Sequence, residues 1–208
     1  MTTYGVAVER LVSELARHRY DEVVERSGAG TLGSDRISLR CLGQDYVISY
    51  PDGEVSTASG DPVDEHLAIL LLLYLTEAGG RLLEGRWIAF EQISGGAGYI
   101  GSFRGRVVGP LLRTFGQRPE ALLTAAAELD GSSLDMGDAA VALAALPRVP
   151  IAFVLWRGDD EFAPSASVVF DASVEGYLDA EAATVLAELA THRMIEAAGS
   201  GTSEGGLT

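Results

Sequence analysis

The sequence predicts an α+β protein, with a mostly antiparallel sheet packed against helices and a buried central apolar helix. Three observations lead to this prediction. Residues 67–75 form a nine-residue run that is apolar on every side of a helix. Segments with a two-residue period come before that run. Residues 146–171 hold two apolar runs joined by a short acidic turn, which is typical of two buried strands.

Composition and length favour one folded domain without a nucleic-acid or membrane partner. With 208 residues, 47% of them hydrophobic, the chain can bury a substantial core. We assign residues 1–195 to a single domain and expect the Gly/Ser-rich residues 196–208 to be a disordered tail. A net charge of -15 opposes binding to phosphate backbones. The longest apolar run is far below the roughly 20 residues of a membrane-spanning helix, and the N-terminus lacks a signal-like pattern, so we expect a cytoplasmic protein.

The first third of the chain predicts one helix and a small meander. Residues 4–26 have the helical period, with apolar positions at Tyr4, Val8, Leu11, Val12 and Leu15. Residues 36–58 then alternate with a period of two around two turns, which predicts two or three strands. Cys41, the only cysteine, lies on the apolar face and is expected to be a small buried side chain. A single cysteine allows neither an intramolecular disulfide nor a thiolate cluster.

The apolar helix is predicted to start at Asp61-Pro62 and to stop before Gly79-Gly80. Asp61 can cap the helix and Pro62 fits its first position. The remaining elements follow in order: a strand at 87–93, a glycine loop at 94–101, helices at 110–115 and 120–129, strands at 139–146, 151–156 and 168–170, and a last helix capped by Asp179.

The glycine segment Gly96-Ala97-Gly98-Tyr99-Ile100-Gly101 formally matches a dinucleotide-binding pattern. The helix start and second strand that such a site requires do not follow it, so a close-packed loop lining a pocket is the preferred interpretation. Arg104 and Arg106 come directly after the segment. They are either ligands for an anionic group or surface arginines paired with nearby acids.

The acidic turn Asp159-Asp160-Glu161 offers carboxylates that could bind Mg²⁺ or Ca²⁺, although a solvated turn between strands is the simpler interpretation. Trp87 and Trp156 are strand residues that either belong to the core or form an aromatic wall beside the glycine loop. No nucleophile-elbow pattern or metal-ligand spacing identifies a catalytic residue.

Four segments, residues 69–80, 83–99, 146–162 and 168–181, together resemble a prokaryotic family known only as domain of unknown function number 3786. The similarity extends over residues 5–195. Some similar chains carry an attached iron–sulfur region, whose cysteines are absent here, so the resemblance implies no cluster. It implies a pocket built from glycine, polar and aromatic residues: Trp87, Gly95, Gly96, Tyr99, Trp156, Arg157, Asp160, Glu161 and Phe162.

The leading hypothesis is an accessory module that binds a small molecule or cofactor of unknown identity, in one cleft between the glycine loop and the acidic turn. Its expected binding residues are Trp87, Gly95, Gly96, Tyr99, Arg104, Trp156 and Arg157. The alternatives are a divalent-cation-dependent enzyme using Asp159, Asp160 and Glu161, and a non-catalytic scaffold that forms a homo-oligomer. A fold that places the glycine loop and the acidic turn on opposite faces would contradict the binding-module hypothesis.

Overall fold

The computed structural model describes residues 3–200 and confirms an α+β fold with two antiparallel sheets. Its elements are α1 (Thr3–Leu15), α2 (Tyr20–Ser27), β1 (Gly30–Thr31), β2 (Arg36–Cys41), β3 (Gln44–Ser49), β4 (Val55–Thr57), α3 (Glu65–Glu77), β5 (Trp87–Ala89), α4 (Gly96–Phe103), α5 (Gly109–Phe115), α6 (Glu120–Ala127), β6 (Ser132–Leu134), β7 (Ala139–Leu146), β8 (Val149–Trp156), β9 (Ser165–Asp171) and α7 (Ala180–Ser200).

The N-terminal segment forms two helices, so the prediction of one helix over residues 4–26 was wrong. The chain breaks at residues 16–19, where the amides of Arg17 and His18 bond to carbonyls three residues back. The hydroxyl of Tyr50 donates a hydrogen bond to the His18 carbonyl in this break. This contact cannot be read from the local period, because its two residues are far apart in the chain.

The first sheet has the order β1-β2-β3-β4. Its strands β2, β3 and β4 form the three-stranded meander predicted over residues 36–58, and the short strand β1 precedes that range. The apolar face of this sheet is fully buried and includes Ile37, Leu39, Cys41, Tyr46 and Ile48. The turn after β2 is tied to the second sheet by a bond from the Leu42 amide to the Ala145 carbonyl, 3.1 Å long. The two sheets therefore share one continuous core.

Helix α3 is buried at the centre of the fold, but it begins at Glu65 rather than at Pro62. Asp64 is the N-cap, with its Oδ1 accepting from the amides of His66 and Leu67 at 3.0 and 3.1 Å. Pro62 instead makes a bridge with Ser56 beside β4. The predicted cap was wrong because Asp61 and Asp64 are both residues that favour the N-cap position. The contact between Pro62 and Ser56 keeps residues 61–62 beside β4, so Asp64 caps the helix.

The second sheet has the order β5-β9-β8-β7-β6, with every neighbouring pair antiparallel. The predicted strands around Pro147 are observed, and β8 starts earlier than expected, at Val149. The strand predicted over residues 87–93 is only three residues long, because Phe90–Gln92 turns into a 3₁₀ helix. The acidic turn joins β8 to β9, as the sequence indicated.

The segment expected to be a glycine loop is helical, which corrects that prediction. Helix α4 runs directly through a π-helical segment, Arg104–Val108, into α5. Four buried side chains at four-residue intervals hold this helical run against the core: Phe103, Val107, Leu111 and Phe115. The helix was not predicted because the glycines at the start of the run have low helix propensity.

Helix α7 follows its predicted cap: the Asp179 Oδ1 accepts from the Ala182 amide at 2.8 Å. The helix continues to Ser200, so residues 196–200 of the expected tail are helical. Residues 201–208 lie outside the described part of the chain. Helix α7 packs against α6, α5, α4 and α3.

Candidate functional site

The structure separates the two tryptophans that could have formed one aromatic wall. Trp87 pairs with Asp171 and Trp156 pairs with Ser165, at opposite ends of β9. Six residues of extended strand span about 20 Å. Trp156 is 42% exposed, so it is not the core residue that its strand suggested.

The glycine segment and the acidic turn are also far apart. Gly96 begins the helical run and Phe115 ends it, and a helix of that length extends about 30 Å. The acidic turn lies at the far end, where Gln117 and residues 158–164 line an open cavity of about 500 Å³. The single cleft expected from the sequence is therefore not formed.

The two arginines assigned to binding are engaged in ion pairs at these separate places. Arg104 Nη2 lies 3.7 Å from Glu91 Oε1, near the glycine segment. Arg157 Nη2 donates to Glu120 Oε2 at 2.6 Å, near the acidic turn. Of the glycine-segment residues, Tyr99 reaches α7, with its hydroxyl 3.4 Å from Glu181 Oε2. Gly95 packs beside Ala180 at the start of the same helix.

Asp159 shapes the acidic turn. Its Oδ1 accepts hydrogen bonds from the amides of Glu161 and Phe162 at 2.9 and 2.7 Å, and these bonds lower the pKa of the carboxyl group. Asp160 and Glu161 are exposed. Within residues 3–200, no three His, Cys, Asp or Glu side chains are grouped so that they could hold a metal ion.

A groove runs along α3, with α7 on its other side at one end and residues 175–179, which precede α7, on its other side at the other end. It consists of three adjacent cavities of about 480, 290 and 180 Å³. The first two share Arg10, Leu73 and Asp179, and the last two share His66, Leu70 and Val185. We call this continuous feature the α3–α7 groove.

The floor of the α3–α7 groove is apolar. Ile69, Leu73, Val185 and Leu189 line it and are only partly buried, although neighbouring leucines on α3 are inaccessible. On each helix the lining side chains are four residues apart, which places them on one face. The two helix caps, Asp64 and Asp179, lie at opposite ends of this floor and are themselves lining residues.

The rim of the groove carries more carboxylates than free cations. Glu77, Glu175 and Asp179 line the largest cavity together with one cation, Arg10. Arg10 is exposed and has no ion pair within the described residues. At the other end, Arg106 Nε and Nη2 both donate to Glu188 Oε2, at 3.0 and 2.5 Å, and this pairing raises the pKa of Arg106.

Sequence reasoning missed most of this site. Of the residues singled out in the sequence, Arg106 lines one end of the groove, Ser94 from the predicted glycine loop lines the other, and Tyr99 contacts the groove through Glu181. One signal was available: Val185 and Leu189 belong to the apolar stripe predicted for the last helix. That stripe gave no indication that its partner would be α3, more than a hundred residues earlier in the chain.

Comparison with known proteins identifies the family. The family described as "Domain of unknown function (DUF3786)" matches residues 20–193, which is most of the chain. The chain belongs to this family. No curated protein matches this DUF3786 domain, and no solved structure matches it. Within the described residues of the domain, none of the helices has both the length and the apolar character needed to cross a membrane.

Proposed function

We propose that this DUF3786 domain is a non-catalytic binding module, and that the α3–α7 groove holds a small apolar molecule carrying an ammonium group. The observation that carries the proposal is the combination of a continuous apolar floor with a rim dominated by carboxylates. Ligand sites are commonly concave and mostly apolar, with a few polar groups that set orientation.

The floor supports binding of an apolar body. Leu73 faces both larger cavities, and Ile69 and Val185 lie on either side of the middle one. Covering such surface contributes about 25 cal/mol per Å² of apolar area removed from water, before the costs of binding are subtracted. A ligand that leaves these side chains exposed would gain little from this site.

The rim supports a positive charge on the ligand. In the largest cavity, three carboxylates line the wall with one arginine. Of these carboxylates, Glu175 also lies 3.8 Å from Arg81 Nη1, and at the other end Arg106 is paired with Glu188. The whole chain has a net charge of -15, so its field attracts cations. An ammonium group would enter the end lined by Glu77 and Glu175.

The other two hypotheses have less support. The acidic turn uses Asp159 to bond its own backbone, and among residues 3–200 no further His, Cys, Asp or Glu is grouped with Asp160 and Glu161 as a metal site. A scaffold function would require an exposed apolar surface, but exposed apolar side chains such as Leu82 and Phe162 lie on different loops.

Tryptamine and indole-3-propionate, which differ mainly in charge, test the proposal directly. Isothermal titration calorimetry should detect binding of the amine and much weaker binding of the carboxylate. The amine should also raise the melting temperature, because a ligand that binds only the native state stabilises it. Equal binding of both probes would contradict the charge assignment, and binding of neither would contradict the amphipathic-amine ligand.

Two pairs of variants locate the site. Leu73→Trp should block the groove and abolish amine binding, whereas Leu123→Trp, at an exposed position of α6, should not. Glu77→Gln should weaken amine binding severalfold, while Glu128→Gln, the same charge change at the end of α6, should have little effect. Unchanged binding by Leu73→Trp would place the ligand elsewhere.

A further inference from the structure

Strand β9 has an edge that is only half covered. Strand β5 pairs with residues 169–171 and then leaves the sheet, because Phe90–Gln92 is a 3₁₀ helix. The Ala172 amide donates to the Arg86 carbonyl at 2.9 Å, on the same side as β5. Since backbone groups alternate between the two edges of a strand, Val168 and Ala166 also direct their N–H and C=O groups toward this side.

These backbone groups lack a strand partner. Within residues 3–200, the pairing of β5 stops at Val169, and neither Val168 nor Ala166 makes a backbone hydrogen bond to the helices beyond that edge. An unpaired edge of this kind is a template for another strand. The part of the edge without a strand partner covers about four residues, or about 14 Å of extended chain. It is most exposed at Ser165 and Ala166, because Val168 is buried.

A cavity of about 350 Å³ lies along the open edge. Ala166, Ser167 and Val168 form one wall. The helical run forms the other wall, through the apolar side chains of Ile100, Phe103, Val108 and Leu112. Arg106, on the same π-helical segment, faces Glu188 on α7, so the helical run separates this cavity from the α3–α7 groove.

The rim of this cavity is basic, in contrast to the rest of the chain. Arg104 is exposed and lies 3.7 Å from the single acidic lining residue, Glu91. Arg113 has no ion pair within the described chain. Its guanidinium lies beside the lining residue Gly109, since a Cβ built on that glycine would be 3.3 Å from Arg113 Nη1. Two guanidinium groups beside one carboxylate favour a negatively charged occupant.

We propose that the open edge of β9 binds an extended acidic peptide segment of a partner protein, which adds to the sheet as a short strand in line with β5. The main chain of the peptide bonds to Val168 and Ala166, and its alternate side chains face Leu112 and Val108. The intervening side chains are acidic and lie toward Arg104 and Arg113. This is peptide recognition by strand addition.

The probe is a fluorescent, end-capped peptide of about eight residues in which valine and glutamate alternate, followed by fluorescence anisotropy. The wild-type domain should bind it, with affinity falling as salt is added. A peptide with lysine in place of glutamate should bind at least about tenfold more weakly. A peptide N-methylated at the residues that face β9 should not bind, because it lacks the required N–H donors.

Variants of the domain decide the geometry. Ala166→Pro should retain the fold, since its amide makes no ladder bond, yet it should abolish binding. Ala166→Ser keeps the amide and should bind as the wild type does. Arg113→Glu should weaken binding by about tenfold at low salt. Equal affinity of Ala166→Pro and Ala166→Ser, or of the methylated and plain peptides, would overturn the proposal.

Leu73→Trp, which alters only the separate groove, should leave binding of the acidic peptide unchanged. This outcome distinguishes the two sites, because the same variant is expected to abolish binding of the amine probe. Loss of peptide binding in Leu73→Trp would assign the peptide to the α3–α7 groove and contradict strand addition.

Discussion

The phenol rings of Tyr74 and Tyr177 stack inside the protein, with centroids 5.3 Å apart and planes inclined by 26°. Tyr74 donates to the Ser27 carbonyl at 2.5 Å and accepts from the Arg148 amide at 3.1 Å. Tyr177 donates to the Arg81 carbonyl at 2.5 Å. Burial raises the pKa of both hydroxyl groups, so they remain donors at physiological pH. The pair joins α3 to three segments that are distant in sequence.

Removing either hydroxyl should destabilise the whole domain. Tyr74→Phe and Tyr177→Phe should each reduce the free energy of unfolding by about 1–3 kcal/mol, because buried carbonyl groups lose their donor. Urea denaturation measures the loss. Tyr99→Phe is the control, since Tyr99 is 41% exposed and should change stability by less than about 0.5 kcal/mol. Equal effects at the three positions would contradict a special role for the stacked pair.

Asp171 should make stability depend on pH in the acidic range. Burial raises the pKa of this carboxyl group, but hydrogen bonds from the amides of Glu84, Ser173 and Gly85 outweigh that effect and lower it. The stabilisation is therefore present above the unfolded pKa of about 4 and is lost as pH falls through the lower folded value.

Asp171→Asn should cost about 2–3 kcal/mol near neutral pH, since the amide cannot accept all three bonds as a carboxylate does. Urea denaturation at a series of pH values is the measurement. The wild type should lose stability more steeply than the variant below about pH 4. Parallel pH profiles for the two proteins would show that Asp171 is not the titrating group.

The glycines of α4 should respond to alanine in opposite directions. A Cβ on Gly96 would overlap the carbonyl oxygen of Phe90, whereas Gly98 and Gly101 face open space. Gly96→Ala should therefore destabilise the domain by about 2 kcal/mol or more. Gly98→Ala and Gly101→Ala should stabilise the helix by up to about 1 kcal/mol each, as measured by thermal or urea denaturation. Destabilisation by all three changes would favour a loop in place of the helix.

Cys41 should be unreactive in the folded protein. Burial raises the pKa of its thiol to about 12, an effect that the nearby charge of Arg193 partly offsets. The Arg193 guanidinium also donates to the Cys41 carbonyl at 3.3 Å and to the Tyr46 hydroxyl at 2.6 Å, so it ties the turn after β2 to α7. A disulfide reagent should label Cys41 only after denaturation.

Arg193→Met should speed labelling of native Cys41, because the turn can then open away from α7. Loss of the positive charge by itself would act in the other direction, since it raises the thiol pKa further. The rate of thiol labelling without denaturant is the readout. A slower or unchanged rate would show that Arg193 does not hold the turn closed.

Local pattern accounts for the elements that the sequence predicted well. The apolar helix, the strands around Pro147 and the Asp179 cap each depend on residues within a few positions of one another. The helical run from Gly96 was missed because helix propensity is low at Gly96, Gly98 and Gly101. Burial of Phe103 and Phe115 outweighs that cost, and burial is a property of the folded chain.

The sequence by itself determined the class of fold, the family and the approximate positions of α3, β7 and β8, because periodicity is local, whereas the start of α3 depended on a sheet contact. The location of the candidate sites was decided only by the tertiary structure. The α3–α7 groove requires two helices more than a hundred residues apart to pack together, and the open edge of β9 exists because Phe90–Gln92 turns away. Both features depend on contacts between segments that are distant in the sequence. The hydrophobic period of a single segment carries no information about such contacts.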